Sequence, residues 1–269
     1  MEVIMERSAQ SAAQLAAEQV ACQITKNPQS VLGLATGRTM EPVYAKLCEF
    51  HEKYGLDFSQ VRTFNLDEYV GLPSDHEQSY RTYMNNHLFN RVNIDLTNTR
   101  VPNGMADDLE AECQRYENEI KESGGLDLQL LGIGRSGHIG FNEPSAALYS
   151  RTRVEVLTRV TLMQNGPLFG GSAKMPHHAI TMGIATILEA RKCIMLVTGT
   201  ETADVLAKAI EGPVTATVPA SVLQFHPRVT VVLDSLAAVN LSHKEYYRWA
   251  QEQKLDWQRV QYPPLHASE

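Results

Sequence analysis

Apolar residues fall along this chain in two alternating kinds of block. Short runs at 31–35 (Val-Leu-Gly-Leu-Ala), 126–133, 193–197 and 229–233 have the length and composition of strands buried on both faces. The run at 61–66 (Val-Arg-Thr-Phe-Asn-Leu) reads as another strand. Between and around them lie longer stretches predicted as helices: 8–26, a surface helix preceding the first strand, rich in Ala and Gln with Leu15, Val20 and Ile24 among its apolar positions, then 41–54, 80–89, 107–122, 178–190, 202–211 and 243–253. Such alternation requires crossover connections. It predicts an α/β fold with a mainly parallel, doubly wound (Rossmann-like) sheet and helices on both faces.

At 269 residues the chain is long enough for one large domain spanning 1–269, and it contains no repeat, low-complexity tract or linker that calls for a second. The segment 164–175, with Gly166, Pro167, Gly170 and Gly171, reads as a mobile loop, and a lid is expected around 157–176. The tail 256–269 is expected to be peripheral, with Pro263-Pro264 ending any helix there.

Three of the strands end in small and polar residues, and in doubly wound sheets ligands collect at the carboxyl ends of strands. Thr36-Gly37-Arg38-Thr39, just before a helix, offers backbone N–H groups, hydroxyls and a helix N-terminus to a compact anion, although an ordinary glycine turn has the same form. Asp67 closes an apolar strand. Partial desolvation there would raise its pKa toward the range of a base that takes a proton from carbon; the bland reading is a turn-capping aspartate. Glu68 would point to the opposite face and is read as support. The segment from Gly132 to Glu143 brings Gly137, expected to bind substrate, together with His138 and Glu143; an imidazole can both donate and accept protons near neutrality, and the glutamate could orient it. Ser136 as an acyl-transfer nucleophile is disfavoured because it lacks a G-x-S-x-G elbow.

A net charge of -7 argues against nucleic acid or an anionic membrane as the main partner. Cys22, Cys48, Cys113 and Cys193 are scattered without metal or disulfide spacing, and no histidine pair, His177-His178 included, has ligand spacing, so no metal is expected. Met1 to Arg7 has acidic groups and no signal core, and no window approaches the roughly 18 apolar residues that span a bilayer. A soluble, cytoplasmic protein is expected. Tyr246-Tyr247 and Trp249, on a late helix pattern, are assigned to core packing or a subunit interface.

The segments Phe64-Asn65-Leu66-Asp67-Glu68-Tyr69, Gly137-His138-Ile139-Gly140-Phe141-Asn142-Glu143-Pro144, Ser150-Arg151-Thr152-Arg153 and Ala179-Ile180-Thr181-Met182-Gly183 together resemble the glucosamine-6-phosphate deaminase (glucosamine-6-phosphate isomerase) family, which shares ancestry with 6-phosphogluconolactonase. The likeness runs along nearly the whole chain. It implies an aldose-ketose isomerase working without cofactor on a small anionic sugar and releasing ammonia from an amino sugar phosphate. By resemblance, Asp67 moves the proton between C1 and C2, His138 opens the pyranose ring with Glu143 coupled to it, and the loop Thr36 to Thr39 binds the phosphate. Family members range from monomers to hexamers, and the expectation leans to a homo-oligomer.

The chain also departs from the family pattern, as a divergent member. Arg38 and Met40 stand where a small residue and a proline are usual, and Ser136 replaces a residue that is commonly aspartate or asparagine. Pro167 and Thr202 occupy the places of an arginine and a lysine that hold the phosphate. Loss of two such charged contacts should cost several kcal/mol, at roughly 1.5–3 kcal/mol each, and Arg38 could replace one. An effector site for an N-acetylated sugar phosphate is also altered, with Ala146, Ala147 and Glu155 in place of two serines and a lysine, although Arg153 is kept. Three alternatives stay open: an isomerase of a non-amino aldose with another acidic group at C6, a sugar lactonase, and a non-catalytic sugar-binding protein.

Overall fold

The computed structural model describes residues 1–255; the tail from 256 onward, with Pro263-Pro264, lies outside the described residues. In chain order the elements are β1 (Glu2–Glu6), α1 (Ala9–Lys26), β2 (Val31–Leu34), α2 (Glu41–Tyr54), β3 (Arg62–Asn65), β4 (Asp67–Tyr69), α3 (Tyr80–His87), β5 (Thr99–Arg100), α4 (Leu109–Glu122), β6 (Leu128–Leu131), β7 (Arg153–Val156), α5 (Arg159–Asn165), β8 (His178–Thr181), α6 (Ile184–Leu188), β9 (Cys193–Val197), α7 (Ala203–Glu211), β10 (Val229–Asp234) and α8 (Lys244–Glu252).

Seven strands make one sheet in the order β1-β10-β9-β6-β2-β3-β5, with every neighbouring pair parallel and helices on both sides. The expected doubly wound sheet is therefore present. β9 and β10 are buried along their whole length, as uninterrupted apolar runs require. Strand order changes direction between β2 and β6: β2, β3 and β5 step one way, and β6, β9 and β10 the other. The loops leaving β2 and β6 consequently diverge and open a crevice at their carboxyl ends.

Local chemistry sets the helix ends. Ser8 and Ser11 cap α1 reciprocally, with the Ser11 N–H donating to Ser8 Oγ at 3.1 Å and the Ser8 N–H to Ser11 Oγ at 3.2 Å. The buried face of α1 is mostly alanine (Ala12, Ala13, Ala16, Ala17), so the helix lies close against the sheet and α2. Pro42 opens α2 and Gly55, at φ 69°, ends it.

Three expectations need correction. The segment 178–190 is not one helix: His178–Thr181 is a strand and only Ile184–Leu188 is helical. Pairing on both sides, with β4 and β7, overrides the helical spacing, and Gly183 separates the two elements. The acidic start of the chain supplies a sheet strand, β1, which pairs with β10 and packs under α8. Of the two roles expected for Tyr246, Tyr247 and Trp249, core packing fails for Tyr246 and Trp249, which are 61% and 56% exposed, while Tyr247 does lean against the core.

A second sheet, β4-β8-β7, is antiparallel. It begins one residue after β3 ends and hangs from the carboxyl edge of the main sheet, so Asp67 is the first residue of β4 and lies opposite Thr181.

Register between β2 and β6, the two strands flanking the crevice, depends on Gly33 opposite Gln129. A Cβ on Gly33 would sit 1.9 Å from Gln129 Oε1, in a fully buried layer. Gly33→Ala is expected to lower stability by roughly 1–3 kcal/mol through overpacking. A urea unfolding midpoint no lower than that of the parent protein would refute this.

Candidate active site

The loop after β6 is folded tightly on itself: the Gly137 N–H donates to the Gly134 carbonyl at 2.9 Å and the Gly134 N–H to the His138 carbonyl at 3.0 Å. A Cβ on Gly134 would lie 2.1 Å from the His138 ring, so only glycine lets the imidazole rest on this backbone. Ser136, His138 and Glu143 form a closed cluster. Ser136 Oγ is 2.8 Å from His138 Nδ1 and donates to Glu143 Oε2 at 2.9 Å, while His138 Nδ1 lies 3.2 Å from the same carboxylate oxygen. With its hydroxyl proton given to Glu143, Ser136 can only accept from Nδ1–H, which leaves Nε2 unprotonated in the neutral ring.

Glu143 is buried, and burial alone would raise its pKa. Hydrogen bonds from His138, Thr161 and Ser136, with the His138 charge, outweigh that and hold it down to about 2. Thr158 also donates to Oε1, at 3.2 Å, and Thr161 donates to the same oxygen. Both threonines lie in the first turn of α5, so the segment 157–176 is tied to the His138 cluster. Thr158 is the N-cap of α5, and nothing in the sequence linked either threonine to Glu143.

Asp67 is the opposite case. It is 5% exposed and accepts no hydrogen bond among the described residues. Burial first, and the neighbouring Glu68 charge second, push its carboxyl from 3.8 up to about 8. The His138 loop passes over it: a Cβ on Gly140 would lie 3.5 Å from Asp67 Oδ2 and 2.9 Å from Thr181 Oγ1. Thr181 is occupied as acceptor of the Phe141 N–H at 2.9 Å. Glu68 faces away, as expected of a supporting residue. Its carboxylate accepts the N–H groups of Tyr69 at 2.9 Å, Tyr80 at 3.0 Å and Arg81 at 3.1 Å, anchoring the start of α3.

Thr36, Gly37, Arg38 and Thr39 follow β2 on the other side of the crevice, with Gly37 and Arg38 exposed. The Gly37 carbonyl accepts from Tyr83 Oη at 2.8 Å and from the Met40 N–H at 2.9 Å, which fixes the turn. Met40 gives α2 no side-chain cap, so the first N–H groups of the helix face this loop without one. Gly137 differs from the other expected binding residues: its N–H is used by Gly134 and its carbonyl by Ala220, so it shapes the loop and has no backbone donor to spare. Thr202 caps the chain position of α7 without a side-chain hydrogen bond, and Pro167 lies in the tight turn Gly166–Phe169. Neither carries charge.

The segment 157–176 packs against β4. Asn165 Nδ2 donates to Tyr69 Oη at 3.2 Å, and Phe169 packs edge-on to Tyr69 at 5.4 Å between ring centres. These contacts close a small apolar cluster of Tyr69, Leu72, Phe141, Leu157, Met175 and Ala179.

A doubly wound sheet with a buried carboxyl and a relayed imidazole at its switch point has the make-up of an enzyme site that moves protons. The chain belongs to the glucosamine-6-phosphate isomerase/6-phosphogluconolactonase family, which it matches over residues 5–232. It is similar to the glucosamine-6-phosphate deaminase of Hahella chejuensis (strain KCTC 2396), at 47% identity over 255 residues, 95% of this chain and 97% of that protein. It is 50% identical over 234 residues to the glucosamine-6-phosphate deaminase of Geobacillus sp. (strain WCH70), covering 87% and 93%. A solved monomeric glucosamine-6-phosphate deaminase of the NagB superfamily superposes with a TM-score of 0.87 at 43% identity, over 88% of this chain and 99% of that one. The 6-phosphogluconolactonase of Thermotoga maritima shares the fold, with a TM-score of 0.69 at 21% identity over 87% of this chain and 99% of that one.

The two carboxyl groups give opposite pH signatures. Between pH 4 and 8 the unfolded chain has lost the Asp67 proton while the folded chain keeps it, so this group's contribution to stability falls as pH rises through that window. Asp67→Asn removes the penalty. Its melting temperature is expected to exceed that of the parent at pH 8, by the equivalent of on the order of a few kcal/mol, with the gap closing toward pH 4. Glu143, with its pKa held down to about 2 from 4.5, stabilises above pH 4.5 and loses that contribution as pH falls through 2. A constant offset between Asp67→Asn and parent across pH 4–8 would contradict the assignment.

Proposed function

We propose that the protein converts glucosamine-6-phosphate to the ketose phosphate and ammonia. The observation that carries this reading is the buried, partnerless carboxyl of Asp67. Folding gains nothing from such a group, which costs roughly 1–3 kcal/mol or more when left unpaired. A ligand with an ammonium at C2 supplies the missing counter-charge, lowers the Asp67 pKa on binding and so generates the base in the presence of substrate. A hydroxyl at C2 would not.

His138 Nε2, on the face of the ring away from Ser136 and Glu143, takes the proton of the anomeric hydroxyl and returns one to the ring oxygen, which opens the pyranose. Asp67 then removes the C2 proton; the C–H electrons form the C1–C2 double bond as the C1 carbonyl oxygen takes a proton from the neighbouring C2 ammonium, which becomes an amine. Asp67 gives its proton back at C1 while the amine lone pair forms the C2–N double bond, leaving a protonated imine at C2. Water adds there and ammonia departs, leaving the ketone; one water is consumed per turnover. Glu143 stabilises the imidazolium through the shared Nδ1 contact, and Ser136 passes that interaction on without a charge of its own. The segment 157–176 acts as a lid, and Thr158 and Thr161 connect its closure to the charge state of His138. The loop Thr36 to Thr39 and the start of α2 receive the sugar's anionic end. The four cysteines are all buried, in keeping with a reducing cytosol as the setting.

A second reading keeps the isomerase step but changes the substrate, to an aldose with a different acidic group at C6. It is favoured by the uncharged Pro167 and Thr202. Proton NMR in deuterated water separates the two. Glucosamine-6-phosphate should yield ammonia and ketose with the parent protein, and at least a thousandfold less with Asp67→Asn. Deuterium entering C2 of another C6-substituted aldose, with no ammonia from the amino sugar, would transfer the assignment to the second reading.

The N-acetylated sugar phosphate should not activate the enzyme. Arg153 is already engaged, with Nη1 donating to Asn142 Oδ1 at 2.9 Å and Nη2 paired with Glu155 at 2.5 Å, and Ala146 and Ala147 offer no side-chain donor. Substrate saturation curves with and without N-acetylglucosamine-6-phosphate should coincide; a leftward shift would contradict this.

A further inference from the structure

Three neighbouring strands of the main sheet, β9, β6 and β2, deliver charged residues to the same rim of the crevice: Glu201 after β9, Arg135 after β6 and Arg38 after β2. Arg135 is therefore the central charge. It is bound to Glu201 on one side, with Nη2 2.5 Å and Nε 3.2 Å from Oε2, and both side chains are largely exposed at 47% and 68%. Arg38 makes no hydrogen bond or ion pair among the described residues. The Glu201 carboxyl is held below its usual range, first by the hydrogen bond from Arg135 and by that residue's charge, and further by the charge of Arg38, so all three groups share one field.

This arrangement is unusual for a site that must attract an anion. Arg135 stands three residues before His138 in the same loop, yet its Nε and Nη2 are both held by one carboxylate oxygen of the same protein. We propose that Arg135 and Arg38 together grip the anionic group of the sugar, and that Glu201 is a built-in competitor that occupies Arg135 until that group displaces it. The inference rests on the reading of the site as one for an acidic sugar, but not on turnover or on the amine.

The physical balance permits the exchange. An exposed ion pair is worth roughly 0–1 kcal/mol, so displacing Glu201 weakens anion binding by at most about fivefold. A phosphate oxygen pair fits the guanidinium fork at least as well as a carboxylate does, and it gains the second arginine and the uncapped N–H groups of α2. The ion pair with Glu201 also holds the Arg135 guanidinium in one place, which offsets part of the ordering cost when the anion arrives.

The test is calorimetric binding of glucitol 6-phosphate, which carries the phosphate but has no carbonyl to isomerise, to the full chain and to Arg135→Gln, Arg38→Gln, Glu201→Gln and the Arg135→Gln/Glu201→Gln double variant. Each arginine variant should weaken binding about tenfold or more. Glu201→Gln should tighten it two- to fivefold, and that gain should vanish in the double variant, because without Arg135 there is nothing to compete for. Unchanged affinity in Arg135→Gln would overturn the grip. Weaker binding in Glu201→Gln, or a gain that persists in the double variant, would overturn the competitor, the latter showing only general charge repulsion. Because no turnover is measured, failure of the proposed reaction shows up separately, as a protein that binds the phosphate with this pattern and releases no ammonia. Melting temperatures of the rim variants control for folding; all three side chains lie on the exposed rim.

Discussion

Everything at this site follows from keeping two carboxyl groups apart in charge while holding them under one loop. Asp67 is buried without a partner and stays protonated up to about pH 8; Glu143 is buried among donors and stays ionised down to about pH 2. Divergent environments of this kind separate a proton-moving acid from a fixed negative charge. The parallel sheet makes the difference possible. Asp67 leaves the end of β3 into a short antiparallel ribbon whose backbone is already paired, so no N–H group is spare to solvate it. Glu143 lies where the β6 loop meets the first turn of α5, and hydroxyl donors converge there.

Most of the main sheet was legible from uninterrupted apolar runs, because strands covered by helices on both faces leave no room for polar residues. The same logic hid the rest. β1 is an edge strand beginning and ending in glutamate, and its burial depends on α8 more than two hundred residues away. β8 has helical spacing when read alone, and becomes a strand only because β4 and β7 pair with it from either side. Asp67, His138 and Glu143 were found because they follow strands. Thr158, Thr161, Arg135 and Glu201 were missed because their partners are supplied by distant parts of the chain: Thr161 reaches Glu143, and Glu201 reaches Arg135 across the gap between β9 and β6.

Ser136 shows how a departure from the family pattern can be accommodated. A serine between imidazole and carboxylate cannot add charge, but it relays the hydrogen bond and leaves the imidazole tautomer set by Glu143. The charge beside the imidazole is then supplied by one carboxylate, Glu143. That puts more weight on the threonines that keep Glu143 ionised, and therefore on the segment that carries them.

The ends of that segment are held side by side, since Val156 of β7 pairs directly with His178 of β8. A loop whose ends are already closed by a strand pair can change length at little entropic cost, about 0.6 kcal/mol for each doubling. It is thus an exchangeable cassette. Provided that the first turn of α5 keeps its two threonines, the residues beyond it can be replaced without disturbing the register of β8 against β4, and with it the position of Asp67. Change within that cassette is therefore separable by descent from the geometry it is fastened to, and the strand pairing that places Asp67 can be inherited intact while the segment itself is replaced.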